Sequence, residues 1–320
     1  MWRFKPLFKT TLWGGDKILS FKGWAPNSLA IGESWELSGV EEMESVVSSP
    51  RDHGLSISEL IGKYGANLLG EKNFERFGNR FPLLIKFIDA RLPLSIQVHP
   101  DLEAAQRMNI GSGKSEMWYV LSADPESEII FGFDREMNAG ELAGHAVSGE
   151  ITKDVNHVAV KPDEAFFIPA GRVHGIGAGI FLLEIQEASD NTFRIYDYNR
   201  TDADGNKREL HIEKALEVAR LDDVRPQALS FMELPSVPSV IYDSPFFTTK
   251  ILRLQSQMMR NYSEVDSFVV IVCIGGNARL TTRNHEMEIS RGETLLLSAL
   301  EKEVMINPSE DFTAIEVFIR

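Results

Sequence analysis

F-P-L-L-I-K-F-I (81–88), followed closely by S-I-Q-V-H-P (95–100), is the stretch whose reading decides the fold. The runs 81–88 and 92–98 are short, rich in Ile, Leu, Val and Phe, and bounded by Asp or Pro, the pattern of strands. Residues two apart on a strand face the same way. Gln97 and His99 therefore point together, toward the inside of any closed β structure. Lys86 interrupts an otherwise apolar run. A lone buried ammonium is costly, so a carboxylate partner or an anionic substrate is expected beside it.

Outward from this stretch the same pattern recurs at 117–121, 129–133, 165–168 and 180–186. Helical periodicity is expected in three places only: 57–69, weakened by Gly62 and Gly65; 102–108, with Asp101 as cap; and 212–221. Many short strands with few helices predict a mainly β chain built as a sandwich or closed barrel, not as βαβ units. V-K-P-D-E-A-F-F-I-P-A-G-R-V-H (160–174) also resembles I-S-R-G-E-T-L-L-L-S-A-L-E-K-E (289–303), and 117–121 has a counterpart at 268–274. Two stacked β-barrels follow. Residues 1–225 would form the first, with small helical segments, and residues 226–320 a second, metal-free one. The segment 222–238, with Pro226, Pro235 and Pro238, would link them.

With 320 residues, 43% hydrophobic and 25% charged, the chain has the composition of a soluble globular protein. A net charge of −14 argues against nucleic acid as a partner but allows a locally basic pocket for a small anion. The single cysteine, Cys273, cannot form an intrachain disulfide. The amino terminus has no apolar signal segment, and the longest apolar run, 268–274, is too short to span a bilayer. A cytoplasmic enzyme without membrane association is expected, as a monomer or homodimer.

Four residues in three segments carry the chemistry: Gln97 and His99, Glu116 in G-K-S-E-M-W-Y, and His174 in P-A-G-R-V-H. Lys114, Glu116 and Trp118 share a face, and His174 follows a Pro169-Ala170-Gly171 turn that would place it near the start of the next strand. Two imidazoles, a carboxylate and an amide oxygen suit zinc, with iron, manganese or cobalt as alternatives. A glutamine ligand favours a catalytic site over a structural one. Taken singly, each histidine reads better as an unrelated polar side chain than as a ligand.

The ordered motifs S-I-Q-V-H-P-D, G-K-S-E-M-W-Y-V-L, P-A-G-R-V-H-G-I-G-A-G-I and S-D-N-T-F-R-I-Y-D-Y-N-R resemble type I mannose-6-phosphate isomerase, in its short bacterial and archaeal form. The likeness extends to L-W-G-G (12–15) and G-E-S-W-E-L-S (32–38), and so covers at least residues 1–220. The resemblance implies cupin (jelly-roll) barrels and one catalytic zinc ion held by Gln97, His99, Glu116 and His174. It implies interconversion of mannose 6-phosphate and fructose 6-phosphate through an enediol, with a small sugar phosphate as the partner molecule. It also makes Arg194 an active-site arginine, Lys114 a substrate or proton-relay residue and Asp190 an active-site aspartate. Lys86 and Glu184 are substrate-binding candidates, each against the reading of a buried ion pair or hydrogen-bonded carboxylate. Arg194, Tyr196 and Tyr198 are expected on one strand face.

Three positions depart from the family pattern: Ser115 between lysine and glutamate, Gly175 after the last ligand, and Asp163 where cupins carry glycine. His53, His145, His157, His211 and His285 lack ligand spacing and read as surface or capping residues, and Trp13, Trp35 and Trp118 as core or pocket wall. Two rival readings are an iron dioxygenase, which would need oxygen and ferrous iron, and a non-catalytic sugar-phosphate-binding regulator. Lys114, Asp190 and Arg194 weigh against the second, since a binder could lose them. No Gly-rich dinucleotide fingerprint is present, in keeping with a reaction that needs no redox cofactor.

Overall fold

A computed structural model describes residues 1–25, 29–201, 204–234 and 236–320. Pro235, expected in the link, lies outside the described residues. The architecture is mainly β, in four antiparallel sheets. In the amino-terminal half, a six-stranded sheet runs in the order Leu7–Gly15, Ile31–Ser38, Leu83–Ala90, Ile180–Glu187, Glu116–Ala123, Ala165–Ile168. Opposite it lie five strands in the order Phe193–Tyr196, Ile96–Val98, His174–Ile176, Glu128–Phe133, Val155–Ala159. Trp13, Ile88, Trp118, Phe131, Phe166 and Leu182 pack between the two sheets.

The carboxy-terminal half repeats the plan. One six-stranded sheet has the order Trp2–Arg3, Thr294–Leu297, Val269–Gly275, Phe312–Phe318, Thr248–Leu254, Ser239–Asp243, and four strands oppose it: Met258–Asn261, Glu303–Pro308, Asn277–Thr281 and Glu286–Ser290. Leu252, Ile271, Cys273, Leu280, Ile289 and Phe312 fill its interior. The repeat extends to backbone conformation. Asp163 and Gly292 occupy the same place in it, and both adopt positive φ, 70° and 82°. Asp163 is tolerated there because aspartate visits the left-handed region more readily than most residues. Trp2–Arg3 crosses from the amino terminus to pair with Thr294–Leu297, so the first residues of the chain complete the second unit's sheet.

The two six-stranded sheets stack back to back. Leu83, Ile85, Phe87 and Leu183 meet Val270, Val272, Leu296 and Ile315 in one shared core. This explains the largely apolar run at 81–88: all eight residues of Leu83–Ala90 are buried. The odd positions Leu83, Ile85 and Phe87 enter the shared core, whereas Ile88 and Ala90 face the barrel interior, the side on which Lys86 lies. A slip of one residue would send the Lys86 ammonium into the shared core, so register is strongly specified.

Strand bounds shift where proline intervenes. The run 81–88 becomes Leu83–Ala90 after Pro82, and 92–98 shrinks to Ile96–Val98 after Pro93. The helix expected over 57–69 forms as Ile57–Tyr64 and Ala66–Leu69, broken by Gly65 at φ 53°. Leu102–Arg107 forms with the Asp101 side chain accepting from the Ala104 N–H, and Ile212–Val218 forms as well. The expectation of only three helical places is corrected: Lys17–Phe21, Glu71–Phe77 and Ala139–Ser148 are also helical. The first is too short to show a period. The second lies between Gly70 and Gly78, and the third is rich in Ala and Gly, so its apolar period is faint. Its readable signal was the Asn138/Glu141 capping box. Together with Ile212–Val218 this last helix covers the outer face of the five-stranded sheet, over Ile96, Val98, Phe193 and Ile195. Among the described residues, no helix is long and apolar enough to cross a membrane.

Candidate active site

Alternation on Ile96–Val98 sends Ile96 and Val98 outward under the helices and Gln97 inward. His174 opens the neighbouring strand and lies directly opposite Gln97, and Arg194 lies opposite Gln97 on the other side. One row across the sheet therefore reads Arg194, Gln97, His174. From the facing sheet Glu116 enters at the start of Glu116–Ala123. His99, Glu116 and His174 are fully buried, and their ligating atoms all lie within 4.8 Å of one another.

Hydrogen bonding fixes the imidazoles. His99 Nδ1 is 2.7 Å from the carbonyl oxygen of Asn191, and His174 Nδ1 is 2.8 Å from that of Arg172. A carbonyl only accepts, so both Nδ1 atoms carry the proton and both Nε2 lone pairs face Glu116, at 3.5 and 3.3 Å. Burial, then the Lys114 ammonium, push His99 down to about 3, and burial lowers His174 against the pull of Glu116. Both rings are therefore neutral at neutral pH, as metal ligation requires. Burial opposes charge on Glu116, but the Lys114 ammonium outweighs it and holds the carboxyl well below its ordinary range.

The donor set tests well against a divalent metal. Among the described residues neither Glu116 oxygen has a hydrogen-bond partner, although both are buried. Two imidazole lone pairs and an orphaned carboxylate converging on one point suit an ion better than they suit each other. Gln97 presents Nε2 to His174 Nε2 at 3.3 Å, while its Oε1 accepts from Ser95. Rotating the amide by half a turn exchanges these atoms and offers oxygen to the cluster. Lys114 precedes the strand rather than sharing it, yet its Nζ reaches Glu116 Oε2 and His99 Nε2, each at 3.2 Å.

The Gln97 side of the cluster opens onto a cavity of about 320 Å³. Five cations line it, Lys9, Lys86, Lys114, Arg194 and Arg208, with three carboxylates, Glu33, Glu184 and Asp190. On a chain of net charge −14, this concentration of positive side chains suits an anionic ligand. Lys86 has the carboxylate partners its burial demands, Glu184 at 3.0 Å and Glu33 at 3.5 Å. Burial works against the Lys86 charge, but those two carboxylates outweigh it and raise its pKa. Burial, and then repulsion from Glu116, raise that of Glu184, which also accepts from the Trp118 indole at 2.8 Å.

Arg194 reaches the cavity with Nη1 on the Glu209 carbonyl at 2.8 Å and its buried Nε unpartnered. Asp197, three residues further on, binds Arg200 and Arg208. Burial, then Arg208, lower the Arg194 pKa. Asp190 also lines the cavity, but its carboxylate meets Lys9 at 3.5 Å. The expected shared face of Arg194, Tyr196 and Tyr198 is corrected. A register shift between Arg194 and Tyr196 turns the tyrosines outward onto the helix-covered cluster. Tyr198 has left the strand at φ 55°.

Lys9 and Thr11 were missed as pocket residues, although with Trp13, read as core or pocket wall, they alternate on one strand, Leu7–Gly15, and a period of two would have found them. Glu33 and Arg208 were missed as well. Glu33 sits inside the quoted G-E-S-W motif, but Arg208 lies on a loop with no periodic signal. Of the three departures, Ser115 donates its backbone N–H to Glu187, and Gly175 has room for most of a methyl group, with Ser95 O at 3.2 Å. Asp163 accepts from Tyr119 at 2.7 Å and from Arg253 of the second unit at 2.9 Å.

Comparison with known proteins agrees with this geometry. The family described as phosphomannose isomerase type I, catalytic domain, matches residues 1–129. Mannose-6-phosphate isomerase ManA of Bacillus subtilis is 33% identical over 297 residues, spanning 92% of this chain and 91% of that one. The mannose-6-phosphate isomerase of Streptococcus mutans is 33% identical over 293 residues, 89% of this chain and 88% of that one. A crystal structure of the Bacillus subtilis mannose 6-phosphate isomerase superposes with a TM-score of 0.88 at 26% identity, covering 99% of this chain and 98% of that one. A phosphomannose isomerase from Salmonella typhimurium, at 18% identity and TM-score 0.79 over 100% of this chain and 99% of that one, bears on the fold alone. The chain belongs to the type I mannose-6-phosphate isomerase family.

Proposed function

We propose that this protein interconverts mannose 6-phosphate and fructose 6-phosphate, with zinc as its metal, in the cytoplasm. The observation that carries the reading is the buried His99–Glu116–His174 cluster, with no hydrogen bond to either carboxylate oxygen among the described residues, opening onto a cation-lined cavity. In this reading residues 1–225 carry the chemistry and residues 226–320 form a metal-free supporting barrel. His99, Glu116, His174 and the Gln97 amide oxygen would hold the ion, which when bound polarises a substrate carbonyl or hydroxyl.

The remaining roles belong to side chains. Moving a proton between adjacent carbons creates negative charge on oxygen, and a fixed cation beside it lowers the barrier. Arg194 suits this task because it neighbours Gln97 and has donors to spare. Lys114 would hold Glu116 in its ionised form and reach the substrate with its remaining N–H. Lys86 and Glu184 would bind substrate hydroxyls as a neutralised pair. Asp190, at the cavity mouth, is the carboxylate placed to exchange protons with solvent.

A coupled assay for fructose 6-phosphate formation tests the reading. Arg194→Ala should lower kcat by about 100- to 1000-fold with metal content unchanged. An Arg194→Ala variant with normal turnover would remove the residue from the reaction. Absence of fructose 6-phosphate formation by the metal-loaded wild type would overturn the function.

A further inference from the structure

Lys9 is the cavity lysine whose charge is least committed. Lys86 and Lys114 each have partners within 3.2 Å, and Arg208 grips both oxygens of Asp197. Arg194 is fastened to the Glu209 carbonyl at 2.8 Å. Among the described residues its one ion pair is with Asp190, at 3.5 Å and 56% exposed, and Glu33, opposite it on the next strand, adds a longer-range attraction. Its ammonium rests 3.6 Å above the ring of Trp35, whose indole is fixed by Glu33 at 2.6 Å. The platform is rigid and the ion pair is weak, which leaves an oriented cation with little to give up.

Position completes the argument. Lys9 lies on the edge strand of the six-stranded sheet, four strands away from the strand of Glu116. Its contact with Asp190 joins that edge to the segment leading into Phe193–Tyr196, the edge of the facing sheet. Lys9 therefore stands across the cavity from the metal cluster. A sugar phosphate reacting at the cluster through its first two carbons extends its far end toward this mouth.

We propose that Lys9 is a specificity-determining residue that leaves Asp190 to bind the substrate's phosphate group. A phosphate monoester carries close to two negative charges at neutral pH, against one on a carboxylate, so the exchange favours the substrate. The same exchange releases Asp190 inside the occupied cavity. This inference rests on the reading of the cavity as a sugar-phosphate site, and its test separates the two.

Lys9→Met keeps the apolar stem over Trp35 and removes the charge, whereas Lys9→Arg restores it. In Lys9→Met, the KM for mannose 6-phosphate and the inhibition constant of inorganic phosphate should both rise about 10- to 100-fold. Calorimetric binding of mannose 6-phosphate should weaken to match. The kcat should stay within about threefold and the metal content should not change, and Lys9→Arg should recover most of the loss. Unchanged KM and phosphate inhibition in Lys9→Met would overturn the proposal, as would a fall in kcat with KM intact. A wild type that binds phosphate through Lys9 but makes no fructose 6-phosphate would sink the isomerase reading and leave Lys9 assigned.

Discussion

The two halves of the molecule run the same row of residues across three neighbouring strands and use it differently. In the first, Trp118, Glu184 and Lys86 lie side by side, and in the second Ile271, Glu316 and Lys250 do. Both glutamates are buried. Glu316 is satisfied by its own chain, with Arg260 at 2.6 and 2.8 Å and the Tyr262 hydroxyl at 2.7 Å. Glu184 Oε1 has an ion pair to Lys86 that is not aligned as a hydrogen bond, and faces a cavity. Two residues before Trp118 on its strand, Glu116 corresponds to Val269, two before Ile271, and Val269 lies opposite Leu297 as Glu116 lies opposite Ile168. The same scaffold thus closes its polar interior in one copy and leaves lone pairs for something else in the other. Unsatisfied buried acceptors are costly, and their concentration in one barrel is what the proposed assignment of the chemistry to that barrel draws on.

The largest effect should come from spoiling the open barrel. Glu116→Gln removes the only charged ligand of the cluster and should lower turnover by on the order of 10³- to 10⁵-fold, with loss of bound metal on elemental analysis. Retained metal with near-normal turnover would dissolve the contrast between the barrels. In the closed barrel, loss of the buried carboxylate should cost stability instead. Glu316→Ala strands the largely buried Arg260 and should destabilise the fold by about 3–5 kcal/mol in urea titrations. Metal bound per folded chain should be unchanged, and a variant that unfolds normally but loses its metal would show that the second barrel is not a passive support.

Acidification should act on the first barrel through His99. Its folded pKa of about 3 lies below the ordinary histidine value. The unfolded chain therefore binds more protons between those values, and stability falls as pH drops from about 6.5 toward 3. Urea titrations of the chelated protein across this range should show that slope, and His99→Asn should flatten it. An unaltered slope in the variant would place the acid sensitivity elsewhere. The smallest effect is expected of Gly175→Ala, whose new methyl meets Ser95 O at 3.2 Å. Stability should change by less than about 1 kcal/mol and kcat by less than about threefold. A larger loss would mean that the His174 strand tolerates no adjustment at all.

Much of this contrast was readable in the residues. Alternation put Gln97 and His99 on one side, the order of four motifs supplied Glu116 and His174, and the 160–174/289–303 repeat announced a second barrel lacking the histidine. The exposed Glu303 stands where the repeat aligns His174. Other features had signals that compete poorly with stronger ones. Lys9, Thr11 and Trp13 alternate, but on an edge strand whose opposite positions, Phe8, Thr10 and Leu12, are exposed, so the apolar pattern is weak. The outward turn of Tyr196 depends on a bulge that strict period-two reasoning does not foresee. The partners of Lys86 come from strands about 50 and 100 residues away in sequence, and only the sheet order brings Glu33 and Glu184 beside it.

The central claim is that the open barrel holds one catalytic divalent ion at His99, Glu116 and His174. Elemental analysis of the purified chain, run in parallel with fructose 6-phosphate formation before and after chelation, tests it most directly. The account predicts about one ion per chain, activity that disappears on chelation, and recovery when zinc is returned. Full turnover by a chain stripped of metal would contradict it.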